Sequence, residues 1–141
     1  MEHKWDEGFG YLYGHQGEVV ADAGASPSGS GNLLMKYFKK VNDNYDTTIA
    51  QSTYDAFKMG RAAIVAKNYT VRDEQAAIIK QNLSKVVGQY AVHYLSGAVS
   101  KIGTATGDDR LGAFHGLSEG YGFVLSLQFT NDGTDQPYFT K

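Results

Sequence analysis

Asp108-Asp109-Arg110-Leu111-Gly112-Ala113-Phe114-His115-Gly116-Leu117-Ser118-Glu119-Gly120-Tyr121-Gly122-Phe123 is the stretch on which the fold turns. Asp108 or Asp109 suits a helix N-terminus, and the helix that follows is expected to reach about Phe129. Gly112, Gly116 and Gly120 recur every four residues and so form one ridge on that helix. A glycine inside a helix costs about 0.5–1 kcal/mol relative to alanine. Three of them call for compensation, either a second helix backbone packed unusually near or a site beside the ridge.

Working outward, Thr70 and Asp73 read as a capping box with aspartate in place of glutamate. A long helix should follow, to about Ile102. Its apolar stripe is Ala76, Ile79, Leu83, Val86, Tyr90, His93 or Tyr94, and Gly97. Residues 103–107 form a loop. Upstream, Asp46 is a candidate cap for a helix over 47–67 with Ile49, Thr53, Ala56, Phe57, Gly60 and Ile64 inward. Residues 33–41 read as a short helix, and 42–46 as a turn. Residues 2–14 carry Trp5, Phe9 and Leu12 at helical spacing, with Gly14 as a C-terminal cap. Between these two helices lies 15–32, small and polar without periodicity, a long loop. The tail 130–141 should be irregular. Alternating β-branched runs are missing. The expected fold is an all-α antiparallel helical bundle of three long helices plus shorter ones. It would be a single helical domain over 1–141, or the C-terminal part of a larger helical-bundle protein.

Composition narrows the function. The chain has 141 residues, with 13 lysines and arginines against 15 aspartates and glutamates, for a net charge of −2. That balance argues against nucleic acid as a partner and against a polybasic membrane surface. A hydrophobic fraction of 42% with 20% charged residues is that of a folded globular domain. Cysteine is absent, which removes disulfides and thiolate ligands. Seventeen glycines stand against two prolines, so glycines must cap helices or let them approach closely. No apolar run approaches the roughly 20 residues needed to span a bilayer, and no hydrophobic stretch opens the chain.

Chemistry-bearing residues are few. His115 and Glu119 share a helix face, a spacing that can offer two ligands to one metal, form an acid–base pair, or make a hydrogen-bonded structural pair. His93 falls on the expected buried stripe of the long helix. If that helix packs on the glycine ridge, His93, His115 and Glu119 form a candidate first shell for zinc or iron; the alternative is a satisfied core histidine. His3 and Glu7, with Asp6 beside them, repeat the spacing near the chain start and are secondary candidates. Tyr11, Tyr13 and Tyr121 lie near glycines and could line a groove, with core packing as the default. Asn42, Asn44 and Asp46 alternate as in a calcium loop, but Thr47 and Thr53 stand where the glycine and glutamate belong. No dinucleotide loop, nucleophile elbow or His-Glu-x-x-His is present.

Two segments go beyond these patterns. Trp5-Asp6-Glu7-Gly8-Phe9-Gly10-Tyr11 resembles a "WDEAFGY" element, and Phe114 to Phe123 resembles an "H-x-L-S-E-x-x-G-F" element, with Phe57-Lys58-Met59-Gly60-Arg61-Ala62-Ala63-Ile64 fitting between them. The combination resembles an uncharacterised family of bacterial extracytoplasmic lipoproteins related to the imelysin-like proteins. The resemblance implies an imelysin-like helical bundle and export to the periplasm or outer-membrane surface. It also implies a lipid anchor outside this chain as the one tie to the membrane. Imelysin-like proteins are linked with iron uptake and some with proteolysis, and their signature is Gly-x-His-x-x-Glu. Here Ala113 and Phe114 precede His115, and the acid comes at Glu119, one residue later, which weakens transfer of a metallopeptidase activity. The expected function is a non-catalytic exported domain binding a metal or small ligand. The alternatives are an interaction subunit with an envelope protein partner, and a metallopeptidase using Glu119 as base.

Overall fold

The computed structural model describes residues 1–14, 33–103, 106–134 and 136–138. The described residues are helical, without strands, as expected. The elements are α1 (Glu2–Tyr13), α2 (Leu33–Asn44), α3 (Ile49–Val65), α4 (Tyr69–Ile102) and α5 (Asp108–Ser126), followed by a 3-10 turn, Leu127–Phe129. The long loop expected over 15–32 lies outside the described residues. The chain divides into two compact units, Met1–Asn82 and Leu83–Lys141, with the division falling within α4.

In the first unit, α1, α2 and α3 pack on one another. α1 runs antiparallel to α3, because Trp5 meets Phe57, Phe9 meets both Phe57 and Tyr54, and Tyr13 meets Tyr54. Leu12, Phe38, Val41, Ile49, Ala56, Phe57, Ala63 and Ile64 are buried around that contact. Gly60 sets how near the two helices come. A Cβ built on it would be driven into the six-membered ring of Trp5, at Cζ2 and Cη2. The indole Nε1 donates to the Phe57 carbonyl at 2.9 Å, which holds the ring over that gap. The N-terminal part of α4 is tied to α3 through Asn82, whose Nδ2 donates to buried Thr53 Oγ1 at 2.9 Å and to Ser52 Oγ at 3.3 Å.

Gly14 ends α1 as expected, with φ 66° and its N–H on the Gly10 carbonyl at 2.8 Å, whereas the boundaries of α3 and α4 follow local chemistry that differs from the expected caps. Asp46 closes a turn instead of capping α3: its Oδ1 accepts from Thr48 N at 3.1 Å and from Thr48 Oγ1 at 2.6 Å. The free N–H of Ala50 in the first turn of α3 donates to Asn42 Oδ1, a cap reaching across from α2. Just past the end of α3, Lys67 takes a left-handed φ of 58°, so that Asn68 N reaches back to Ala63 O at 2.8 Å. Asn68 then caps α4 through Oδ1, which accepts from Val71 N at 3.2 Å. Thr70 is therefore already inside the helix, and Asp73 pairs with Arg72 at 2.6 Å in place of closing the expected capping box.

In the second unit the glycine ridge packs on α4 in antiparallel register. A Cβ on Gly116 would lie 3.3 Å from Ala98 Cβ and 3.5 Å from the Tyr94 carbonyl, and one on Gly120 would lie 2.8 Å from Leu95 Cδ2. Gly112 is looser, its nearest neighbour being Lys101 Nζ at 3.9 Å. Tyr90 and Tyr94 stack near Phe123. The tail returns to α4, with Asn131 N donating to buried Ser84 Oγ at 2.7 Å. Beyond it Asp132 Oδ1 accepts from both Thr134 N and Thr134 Oγ1, and these bonds hold the Asp132 carboxyl below its ordinary pKa.

The glycines therefore separate into two kinds. Gly60→Ala should destabilise the protein by about 2 kcal/mol or more, since the Trp5 ring must leave its seat and its hydrogen bond. Gly122→Ala meets nothing within 4 Å and should stabilise by about 0.5–1 kcal/mol through helix propensity. Urea unfolding of both variants beside the parent checks the opposite signs.

Candidate functional site

The residues singled out from the sequence fall in two places. On α5, His115 Nε2 and Glu119 Oε1 stand 4.0 Å apart, with their side chains 70% and 36% exposed. The spacing does bring them together, but on the surface. His93 is exposed and not on the buried stripe; its ring rests against Tyr90 and Tyr94. The reason is a rotation of the stripe. The residues that face α5 are Tyr90, Tyr94, Leu95 and Ala98, with Ala91 buried as well. Val86 and Tyr90 are buried as expected, but the face on α5 centres roughly 100° from the one expected around Val86, His93 and Gly97, at 100° per residue. Among the described residues no group of three or more His, Asp or Glu side chains is gathered as a metal ion would need. His115 and Glu119 alone could supply two of the four ligands of a zinc ion.

On α1, His3 Nε2 meets Glu7 Oε1 at 3.1 Å, with His3 82% exposed, and Lys4 joins the same carboxylate at 2.9 Å. Asp6 turns away from that pair. It accepts from Arg61 Nε at 2.8 Å, while Arg61 Nη2 meets Glu2 at 2.9 Å. Both acids, with the hydrogen bond from Asp6 first, hold the Arg61 guanidinium above its ordinary pKa.

The Arg61–Asp6 pair forms the edge of a feature the sequence reading passed over. An apolar groove of about 420 Å³ lies along α1 and α3, lined by Trp5, Phe9, Tyr54, Phe57, Ala62 and Val65, with Asp6, Lys58 and Arg61 as its polar members. Trp5 and Phe9 are half-buried, so their rings serve both as helix contact and as groove wall. Trp5 and Phe57 meet edge to face at 5.8 Å, as do Phe9 and Phe57 at 5.5 Å. Such contacts lock ring orientation beyond what burial alone gives. Of the tyrosines expected to line a groove, Tyr11 and Tyr121 are exposed. Tyr13 is buried behind the groove wall, against Phe9, Tyr54 and Phe57. Its hydroxyl is buried with no hydrogen-bond partner among the described residues. Burial first, then the nearby Tyr54 and Asp55, push its pKa far above the ordinary tyrosine value. The sequence signal for the groove is slight: Gly60 leaves a gap one turn from Phe57 on α3, but the ring that fills it comes from a helix 55 positions away.

The chain belongs to a family described as a domain of unknown function (DUF4856), whose model matches residues 1–141. No curated protein and no solved structure matches it. No helix among the described residues is long and apolar enough to cross a membrane.

Two stability measurements follow from the geometry. His115→Ala, alone or with Glu119→Ala, should change unfolding free energy by less than about 0.5 kcal/mol, as exposed pairs one helical turn apart do. A larger loss would mean the pair is bound into structure. Tyr13→Phe should leave stability unchanged or raise it by about 1 kcal/mol, since it removes a buried hydroxyl that no described residue satisfies. Thermal denaturation of these three variants beside the parent reads both effects.

Proposed function

We propose that this member of the DUF4856 family is a non-catalytic, exported binding domain that takes an apolar or aromatic small molecule in the groove along α1 and α3. The observation that supports it most is the wall itself. Four aromatic rings line one concave surface, and one of them, Trp5, is fixed by the same close approach that joins the helices. Small-molecule sites have this character, a mostly apolar concavity of about 300–1,000 Å³ with a few polar groups. The groove's acid is already paired, Asp6 to Arg61, which suits retention of a ligand better than proton transfer. Export and kinship with imelysin-like proteins belong to the same proposal. They rest on the likeness of residues 5–11, 57–64 and 114–123, two of which supply most of the groove wall.

A second reading, an interaction subunit of a cell-surface assembly, is favoured by α5. Leu111, Phe114, Tyr121 and Leu125 are exposed along it, at spacings of three, seven and four, which place them on one side of a helix. Metal binding by His115 and Glu119 would require a further ligand.

The single tryptophan lies in the groove, so its fluorescence reports occupancy. Titration with the neutral probe N-phenyl-1-naphthylamine should quench Trp5 by energy transfer, saturably and at one equivalent. Ala62→Phe, at an exposed position lining the groove, should weaken binding about tenfold or more while the protein stays folded. Absence of saturable quenching in the parent would overturn the proposal.

A further inference from the structure

We infer that the ligand of this groove is an anionic amphiphile, held by its apolar body against Trp5, Phe9 and Phe57 and by its charged head at Lys58; the inference deepens the proposed binding role and rests on it. The chemistry lies in how the charges around the groove are distributed. Arg61 is held between Asp6 and Glu2, at 2.8 and 2.9 Å, and so has little attraction left for a guest. Asp6, the acid that lines the groove, is paired by the same contact. Elsewhere in the first unit Lys4 is paired with Glu7 and Lys39 with Asp43. Lys58 differs from all of these. It lines the groove, its Nζ stands 5.5 Å from the centre of the Tyr54 ring, and it makes no ion pair with a carboxylate among the described residues. The nearest acid on its own helix face, Asp55, accepts instead from Gln51 at 2.8 Å.

The groove therefore presents an apolar wall beside which Lys58 is the lining charge that makes no ion pair among the described residues. An ammonium over an aromatic face is held in place by the ring quadrupole. There it can meet an anion without giving up a protein partner. A neutral guest would leave that charge unused, and a cationic guest would be repelled by it. A carboxylate, sulfonate or phosphate on a flat aromatic or acyl body satisfies both parts.

Two probes with the same ring system separate this inference from the proposal beneath it. N-phenyl-1-naphthylamine is neutral, and 8-anilino-1-naphthalenesulfonate adds one sulfonate to the same body. The full chain is titrated with each at low salt, following quenching of Trp5. The anionic probe should bind about fivefold tighter or more, as an exposed charge contact allows. Lys58→Met should erase the preference by weakening the anionic probe about fivefold or more, while Lys58→Arg should keep it. Added salt should narrow the gap between the probes. Equal affinities in the parent, or a preference that survives Lys58→Met, would overturn the inference and leave the groove's binding role standing. Failure of both probes to quench Trp5 would overturn the binding role, and this inference with it.

Discussion

The absence of a side chain at position 60 is the constraint on which the first unit depends. Two helices whose facing residues all carry a Cβ keep their axes about 8–10 Å apart. At Gly60 the missing atom lets the Trp5 ring sink onto the α3 backbone, where its N–H finds the Phe57 carbonyl. The register of α1 on α3 follows from that seat. Phe9 falls on Phe57, Tyr13 on Tyr54, and Asp6 on Arg61. The groove is the outer half of the same contact, since a ring resting on a helix buries one face and offers part of the other.

The second unit uses the same device with different residues. Gly116 and Gly120 admit Ala98 and Leu95, and the aromatic cluster of Tyr90, Tyr94 and Phe123 continues the contact beyond the ridge. The neighbour decides how much the device can tolerate. Leu95 meets Gly120 with the end of a flexible side chain that can rotate aside. The indole at Gly60 is a rigid plate pinned by a hydrogen bond. Identical glycines, four apart or alone, thus carry different weight according to what rests on them.

The helices and their order were legible because runs of helix-compatible residues are separated by short polar or glycine-containing segments, and no alternating β-branched run competes. Gly112, Gly116 and Gly120 announced a close helix contact, and the contact exists, centred on the second and third. The caps were less legible. Asn42 satisfies the start of α3 from another helix, and Asn68 serves the end of one helix and the start of the next, arrangements that a window of adjacent residues does not display. His93 was misplaced because α4 has apolar residues on much of its circumference, Val92 and Val99 among the exposed ones. Periodicity alone then leaves the direction of the stripe open by about a quadrant. The groove was hidden for a different reason. Trp5 and Gly60 are 55 positions apart, and nothing in the spacing within either helix says that they touch.

α4 carries a consequence for dissection of the protein. The division between the two compact units falls between Asn82 and Leu83, inside one helix and not in a linker. Severing the chain there would create a new helix C-terminus and a new N-terminus, each with up to four backbone groups stripped of their partners. Asn82, which anchors the first unit through Thr53, would become a fraying end. Ser84, which fastens the tail of the second, would stand at the other. Each half has its own packing, yet the boundary between them runs through a continuous helix.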